Sequence, residues 1–158
     1  MNTSSIEAIR FARAEERDDL EALQRRASLV WESDRAQLLA HPDAIELPAD
    51  QIDGECVRVA IAADGRVLGF SAVLGPDNGT SELDGLFVDP EVWGGGVGRA
   101  LVEDAAALSR IRHAMALEVT ANPNALGFYV RTGFVEIGMT TTRFGPGARM
   151  RLTLIGVD

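Results

Sequence analysis

Cysteine is almost missing from this 158-residue chain, since Cys56 is the only one. An intrachain disulfide is therefore excluded, as is a metal centre built on several thiolates, and we expect no metal. No apolar run reaches the roughly 18 residues that a membrane-spanning helix needs, so we expect no membrane partner. The first stretch, MNTSSIEAIRFARAEERDD, also lacks the apolar segment of a signal peptide. A cytoplasmic protein is the default expectation.

Positive charge is scarce as well. The chain has 15 basic residues against 24 acidic ones, a formal net charge of −9. Nucleic-acid binding relies on basic side chains that displace counterions from phosphates, so this balance argues against a nucleic-acid partner. The hydrophobic share of 46% excludes a disordered chain. No repeat or linker divides the sequence, and we expect residues 1–158 to form a single domain.

The first third of the chain is predicted to be mainly helical. A short strand at 9–13 precedes a helix capped by Asp18 or Asp19, whose buried side chains recur at helical spacing: Leu20, Leu23, Ala27, Val30 and Trp31. A second helical segment is expected at 34–41. Residues 42–55 contain two prolines and several acids, which favours irregular structure with at most a short helical turn.

The rest of the chain alternates strands and helices. Asp64-Gly65 lies between two β-rich runs and predicts a tight hairpin in which both central residues have positive φ. Further elements are expected in this order: a strand at 80–88 after the turn GPDNG, a helix at 98–109, a strand at 115–121, a helix at 125–132 ended by Gly133, and two strands around GPG at 145–147. The order predicts an α/β (α+β) fold, a six- to seven-stranded mixed sheet flanked by about four helices.

A glycine cluster, WGGGVG at 93–98, lies between a predicted strand and a predicted helix. Glycine is costly in ordered structure, and a glycine-rich turn at a helix start suits a phosphate, which the free N–H groups and the helix dipole attract. A P-loop requires Lys and then Ser or Thr, whereas Arg99 and Ala100 follow Gly98. The dinucleotide motif G-x-G-x-x-G does not fit either. A turn without any ligand is the plain alternative.

A second motif, NPNALGFYVRTGF at 122–134, follows a predicted strand. Together the two motifs resemble the GNAT superfamily of N-acetyltransferases. That family's nucleotide motif is Gln or Arg, two residues, Gly, one residue, then Gly or Ala. Here Gly96 and Gly98 fit, and Trp93 departs from the Gln/Arg position. The later family motif is matched by Asn122, Ala125, Phe128, Tyr129, Gly133 and Phe134.

The resemblance implies a mostly antiparallel sheet, splayed where the cofactor enters. It implies transfer of an acetyl group from acetyl-CoA to a primary amine of a small molecule or peptide, by direct attack in a ternary complex. Homodimers are common in the family. The alternatives are a module that binds acyl-CoA without turnover, which the departure at Trp93 keeps open, and an interaction protein.

For the cofactor, the resemblance implies that the pyrophosphate lies on backbone N–H groups of the turn: Gly94, Gly95, Gly96, Val97, Gly98 and Arg99. Trp93 either packs on the cofactor or only covers the turn, and the Arg99 side chain either adds a charge to the phosphates or is simply solvated.

The resemblance also implies that the pantetheine arm pairs with the end of the preceding strand, at Leu86, Phe87 and Val88. A glycine within a strand often marks a bulge, and a bulge at Gly85 would open the slot for the arm. Asn122 matches a position that contacts the cofactor, although an Asn-Pro pair is also a common helix start.

For the chemistry, Tyr129 matches the family's general acid, which protonates the departing CoA sulfur. The alternative is a tyrosine that packs in the core. Glu82 matches a glutamate that some members use as the base, directly or through water. Asp84 has the same strand parity and is the second candidate, and a proton relay through waters alone is the third.

Overall fold

A seven-stranded sheet is the central element of the structure, a computed structural model that describes residues 5–30, 32–41, 43, 45–142 and 145–154, with the side chains of 32–34 and 37 left out. The sheet order is β1-β2-β3-β4-β5-β7-β6. The strands are β1 Ile6–Phe11, β2 Val57–Ala62, β3 Val67–Asp77, β4 Thr80–Val88, β5 Ala116–Ala121, β6 Val135–Thr142 and β7 Gly145–Thr153.

Five α-helices accompany the sheet in the described part of the chain. They are α1 Arg17–Leu29, α2 Glu32–Ala40, α3 Ala49–Asp53, α4 Val97–Ile111 and α5 Leu126–Arg131. The pairing of β4 with β5 is parallel, whereas β1/β2, β2/β3, β5/β7 and β6/β7 are antiparallel. The predicted α/β class with a mostly antiparallel sheet is confirmed. None of these helices has the length and apolar character that a membrane crossing requires.

Residue contacts divide the chain into two compact units. The first comprises Met1–Ala72 with Gly85–Leu101, and the second comprises Val73–Asp84 with Val102–Asp158. The expectation of a single domain stays a prediction.

In the first unit, α1 packs its apolar stripe on strands β2 and β3. Leu20 and Leu23 join a buried cluster with Val59 and Phe70. The predicted stripe is correct as far as Ala27, but Val30 is 45% exposed because the helix ends at Leu29. Trp31 lies outside the described residues.

The start of α1 differs from the prediction. A 3-10 turn, Ala14–Glu16, precedes the helix, which begins at Arg17. Asp18 and Asp19 therefore lie within the first turn rather than at the cap. Their carboxylates still face the positive end of the helix dipole, and this explains why acids are favourable there.

The hairpin at Asp64-Gly65 is confirmed, but its turn is of another type. Only Gly65 has positive φ, at +90°, and its N–H donates to the Ala62 carbonyl at 2.9 Å. Positive φ at two successive residues occurs instead in the second unit, at Asn78 (+52°) and Gly79 (+81°). The first residues of GPDNG extend β3 through Asp77, so that turn is tighter than predicted.

The segment GPG was expected to separate the last two strands, but it begins β7. Thr142 pairs with Gly145, which places the connection at 143–144, outside the described residues. A Cβ on Gly147 would approach the Thr120 methyl group to 2.8 Å and that of Thr142 to 3.0 Å. Glycine is therefore required at this position for close strand packing.

Candidate functional site

The glycine turn in the first unit has a backbone conformation that requires glycine at two positions. Gly94 and Gly96 have φ of +86° and +87°, a region that other residues rarely adopt. A Cβ at either position would meet no protein atom within 4 Å, so the requirement is conformational and the adjoining space is open. Open space beside bare backbone is what a bulky anion needs for close approach.

Helix α4 begins directly after this turn. The Ala100 N–H donates to the Gly96 carbonyl at 3.0 Å. The N–H groups of Val97 and Gly98, which precede Ala100, therefore have no acceptor inside the helix. Together with the helix dipole, these groups fit a phosphate, so the turn fits the pyrophosphate of acetyl-CoA. Arg99 is exposed in the same helical turn.

Asp89 anchors the start of this turn and was missed by the sequence analysis. It is 4% exposed, and its carboxylate accepts from the Glu91 N–H at 3.1 Å, from Arg26 at 3.2 Å and from Arg66 at 3.4 Å. Burial alone would raise the pKa of Asp89, but these hydrogen bonds outweigh it and hold the pKa below its usual range. The pair Asp89-Pro90, a cap residue before a helical turn, is the sequence pattern that could have revealed it.

The Trp93 side chain is bound to the end of the preceding strand. Its indole Nε1 donates to the Val88 carbonyl at 2.8 Å, and the side chain is 41% exposed. The indole thus ties the turn back to the end of β4. Leu86 and Val88 pack against the cluster that contains Leu101, whereas Phe87 packs against the other cluster of this unit. Their side chains serve the core, which leaves only their main chain for the predicted contact with the pantetheine arm.

In the second unit, Tyr129 lies on α5, the helix predicted to contain it. The Asn122 side-chain oxygen accepts from the Ala125 N–H at 3.0 Å, so Asn122 caps the segment that leads into the helix. Gly133 follows the helix with φ of +105°. Tyr129 is 6% exposed and makes edge contacts with Phe128 and Phe134, with ring centroids at 5.1 and 5.3 Å.

Burial raises the pKa of the Tyr129 phenol above its ordinary value of 10.0. The phenol is therefore protonated throughout the physiological range and can act as a proton donor. The burial and the aromatic contacts also fit the alternative of a tyrosine that packs in the core, so the role of Tyr129 as the acid stays a prediction.

Glu82 belongs to a row of charged residues on three strands of the second unit. Arg149 on β7 donates to both of its carboxylate oxygens, at 2.8 and 3.0 Å. Arg149 also binds Glu118 at 2.7 Å and Thr120 at 2.8 Å on β5. Asp84, the other candidate base, is exposed. Arg149 could not be identified from the sequence, because nothing local marks a partner 67 positions away in the chain.

The parallel ladder between β4 and β5 is short. It runs from the Thr80–Ala116 pair to the Leu83–Val119 pair, and both strands continue beyond it. The alternation of buried and half-buried side chains along β4 also ends there, at Asp84. The bulge at Gly85 and the slot for the pantetheine arm stay predictions.

Tyr129 can be titrated individually because it is the only tyrosine. We expect tyrosinate absorbance to stay low past pH 10 in the folded protein and to rise only with unfolding. A buried phenol with a raised pKa stabilises the fold fully below its unfolded pKa of about 10, and this contribution is lost as the pH rises above it, by up to about 1.4 kcal/mol per pH unit. Unfolding by urea at pH 9 to 11 measures the loss, which Tyr129→Phe should abolish. Normal titration near pH 10 in the folded state contradicts the burial.

The comparisons with known proteins define the class of protein to which the chain belongs. The family model described as "Acetyltransferase (GNAT) family" matches residues 17–134. The chain belongs to this family.

Among individual proteins, the chain is similar to the peptidyl-lysine N-acetyltransferase YjaB of Salmonella typhimurium, with 33% identity over 135 residues, or 82% of this chain and 84% of that protein. It is 39% identical to YjaB of Escherichia coli over 85 residues, about half of each chain.

Solved structures share the fold. A GCN5-related N-acetyltransferase from Rhodopseudomonas palustris superposes with a TM-score of 0.79 over 98% of this chain and 99% of that one, at 23% identity. The solution structure of YjaB from Escherichia coli, in its apo form, gives a TM-score of 0.66 at 28% identity and covers 95% of this chain and 98% of its own. The PaiA N-acetyltransferase of Thermoplasma acidophilum, solved with coenzyme A, gives 0.74 at 18% identity, covering 94% and 99%.

Proposed function

We propose that this protein transfers the acetyl group of acetyl-CoA to the side-chain amine of a lysine in a peptide or protein. The observation that carries the proposal is the similarity to peptidyl-lysine N-acetyltransferase YjaB over 82% of the chain. The glycine turn supports the choice of cosubstrate, because its open, positively polarised backbone suits a pyrophosphate. That no metal takes part, that the protein is cytoplasmic and that it forms a homodimer stay predictions.

Backbone groups carry most of the proposed cofactor contacts. The pyrophosphate is proposed to lie on the N–H groups of Gly94–Arg99 other than that of Gly95, which already donates to the Val92 carbonyl at 3.2 Å. The pantetheine arm pairs with the main chain of Leu86–Val88. Trp93 already donates to the Val88 carbonyl, so the arm pairs with the second lone pair of that oxygen or with other main-chain groups of the strand. Asn122 contributes its remaining amide donors, since its oxygen already accepts from Ala125.

The reaction is proposed to be a direct transfer in a ternary complex. Acetyl-CoA supplies the acetyl group as a thioester. The neutral amine attacks the carbonyl carbon, so that a C–N bond forms while the C–S bond breaks. Tyr129 gives its phenolic proton to the departing sulfur. Glu82, directly or through a water, accepts the proton that the amine loses. Glu82 then releases this proton to solvent and Tyr129 regains one from solvent, which restores both side chains.

Cys56 has no part in this scheme. It lies between α3 and β2 with its sulfur 3.8 Å from the Gly54 carbonyl. We propose no covalent acetyl-cysteine intermediate, and Cys56→Ala is expected to leave kcat unchanged.

A peptide assay tests the acceptor class. We expect thiol release from acetyl-CoA with an N-terminally blocked peptide that contains one lysine, and mass spectrometry should find one added acetyl group on it. The matched control is the same peptide with arginine for lysine, which should give no release. The enzyme contains no lysine of its own, so self-acetylation of lysine cannot add background. Turnover of small amines, with none of any lysine peptide, would contradict the proposed acceptor.

A further inference from the structure

Arg149 occupies an unusual position in the second unit, because one guanidinium joins three strands. From β7 it reaches Glu82 on β4 and both Glu118 and Thr120 on β5, in four hydrogen bonds of 2.7 to 3.0 Å. Its side chain is only 26% exposed. The hydrogen bond to Glu82 is the main cause that raises the pKa of Arg149 above its usual value, so the guanidinium stays charged.

The bridge lies where the parallel ladder of β4 and β5 ends. The last pair of that ladder is Leu83–Val119. Arg149 Nη1 binds Glu82, one residue before this pair, and Thr120, one residue after it. The guanidinium thus links β4 to β5 at the end of their ladder, where the backbone pairing between the two strands stops.

The guanidinium itself is held in place from the other side. Glu118, whose side chain is 11% exposed, accepts from Arg149 at 2.7 Å and from Arg151 Nε at 2.7 Å. Burial alone would raise the pKa of Glu118, but the hydrogen bonds from Arg151 and Arg149 hold it below its usual range. Glu118 is therefore a fixed anion that sets the plane of the Arg149 guanidinium.

The fixed guanidinium of Arg149 in turn fixes the orientation of the Glu82 carboxylate. A two-point contact between guanidinium and carboxylate fixes the plane and rotation of the carboxylate as well as its distance, which a lysine cannot do. Glu82 is 34% exposed, so without Arg149 it would be solvated and free to rotate. Its second lone pairs remain available to a substrate proton or a water.

We infer that Arg149 is a positioning residue that orients the Glu82 carboxylate for removal of the acceptor's proton. The inference rests on the proposed role of Glu82 as base. Arg149 itself transfers no proton. Misplacing a reacting group by about 1 Å can cost on the order of 10²-fold in rate, so the expected loss on removing Arg149 is of that order.

A double-mutant cycle tests the inference, using whichever amine the wild-type enzyme acetylates. We expect Arg149→Met and Glu82→Gln each to lower kcat by roughly 10²-fold or more, with KM for acetyl-CoA little changed. The double variant should be no slower than Glu82→Gln, within about twofold, because Arg149 acts only through Glu82. Arg149→Lys keeps the charge without the two-point contact and should give an intermediate loss.

The matched control is Arg10→Met. Arg10 likewise donates to both carboxylate oxygens of one glutamate, Glu16, at 3.0 and 2.8 Å, but this pair lies in the first unit and has no contact in the charged row. It should leave kcat unchanged, and its melting temperature shows what loss of a two-point ion pair costs.

Three results would overturn the inference. Losses that multiply in the double variant mean that Arg149 acts independently of Glu82. An unchanged kcat for Arg149→Lys and Arg149→Met means that orientation is unimportant. An unchanged kcat for Glu82→Gln removes the base role itself. Failure of the proposed acceptor differs from all three, because it appears in the wild-type enzyme as lack of turnover with lysine peptides.

Discussion

Replacing Tyr129 by Phe should lower kcat by about 10²- to 10⁴-fold, the range that a positioned general acid supplies. The reason is chemical: a thiolate leaves faster when it receives a proton, and the phenol is the donor we assign. Burial keeps this phenol protonated, so the effect should persist from neutral to alkaline pH as long as the protein is folded. Steady-state rates of thiol release measure it.

The fold should survive this change. Phenylalanine keeps the ring and its edge contacts with Phe128 and Phe134, so circular dichroism and the melting temperature should stay close to wild type. Val130→Ala is the matched control, because Val130 is the next residue of the same helix and is 56% exposed. Its kcat should not change. If Tyr129→Phe is as fast as wild type, Tyr129 only packs in the core and the proton comes from elsewhere.

Replacing Gly96 by Ala should weaken CoA binding about tenfold or more, equivalent to about 1.4 kcal/mol. Two causes combine. At φ of +87° an L-residue costs about 1–2 kcal/mol, so the turn shifts toward another conformation. The new methyl group also enters the open space where the phosphates are proposed to lie. Isothermal titration with CoA measures the loss.

Gly65→Ala separates these effects. Gly65 has nearly the same φ, +90°, and a Cβ there likewise meets nothing within 4 Å, but it lies in the β2–β3 hairpin turn. We expect both variants to lose similar stability and only Gly96→Ala to lose affinity for CoA. Equal affinities in the two variants would remove the glycine turn from the cofactor site.

Much of the local structure was predictable because its causes are local. The positions of the turn glycines and the spacing of apolar residues predicted β4 at Thr80–Val88 without error. The same signals predicted α5 to within one residue at each end. The glycine turn was predictable for the same reason, since positive φ and a helix start are properties of a few neighbouring residues. Errors occurred where a neighbour in space decided the outcome, as at GPG, which packs against Thr120 and extends β7.

The candidate residues divide along the same line. The sequence alone determined the family motifs, the residues of the glycine turn, and Tyr129 as the one phenol in register with them. Three contacts were decided only by the tertiary structure. The Trp93 indole donates a hydrogen bond to Val88, and Asp89 accepts hydrogen bonds from two arginines. Arg149 binds the carboxylate of Glu82. The physical reason is sequence separation: Arg149 lies 67 positions from Glu82 and 31 from Glu118. Strand order and register bring these charges together, and both emerge only when the whole sheet has formed.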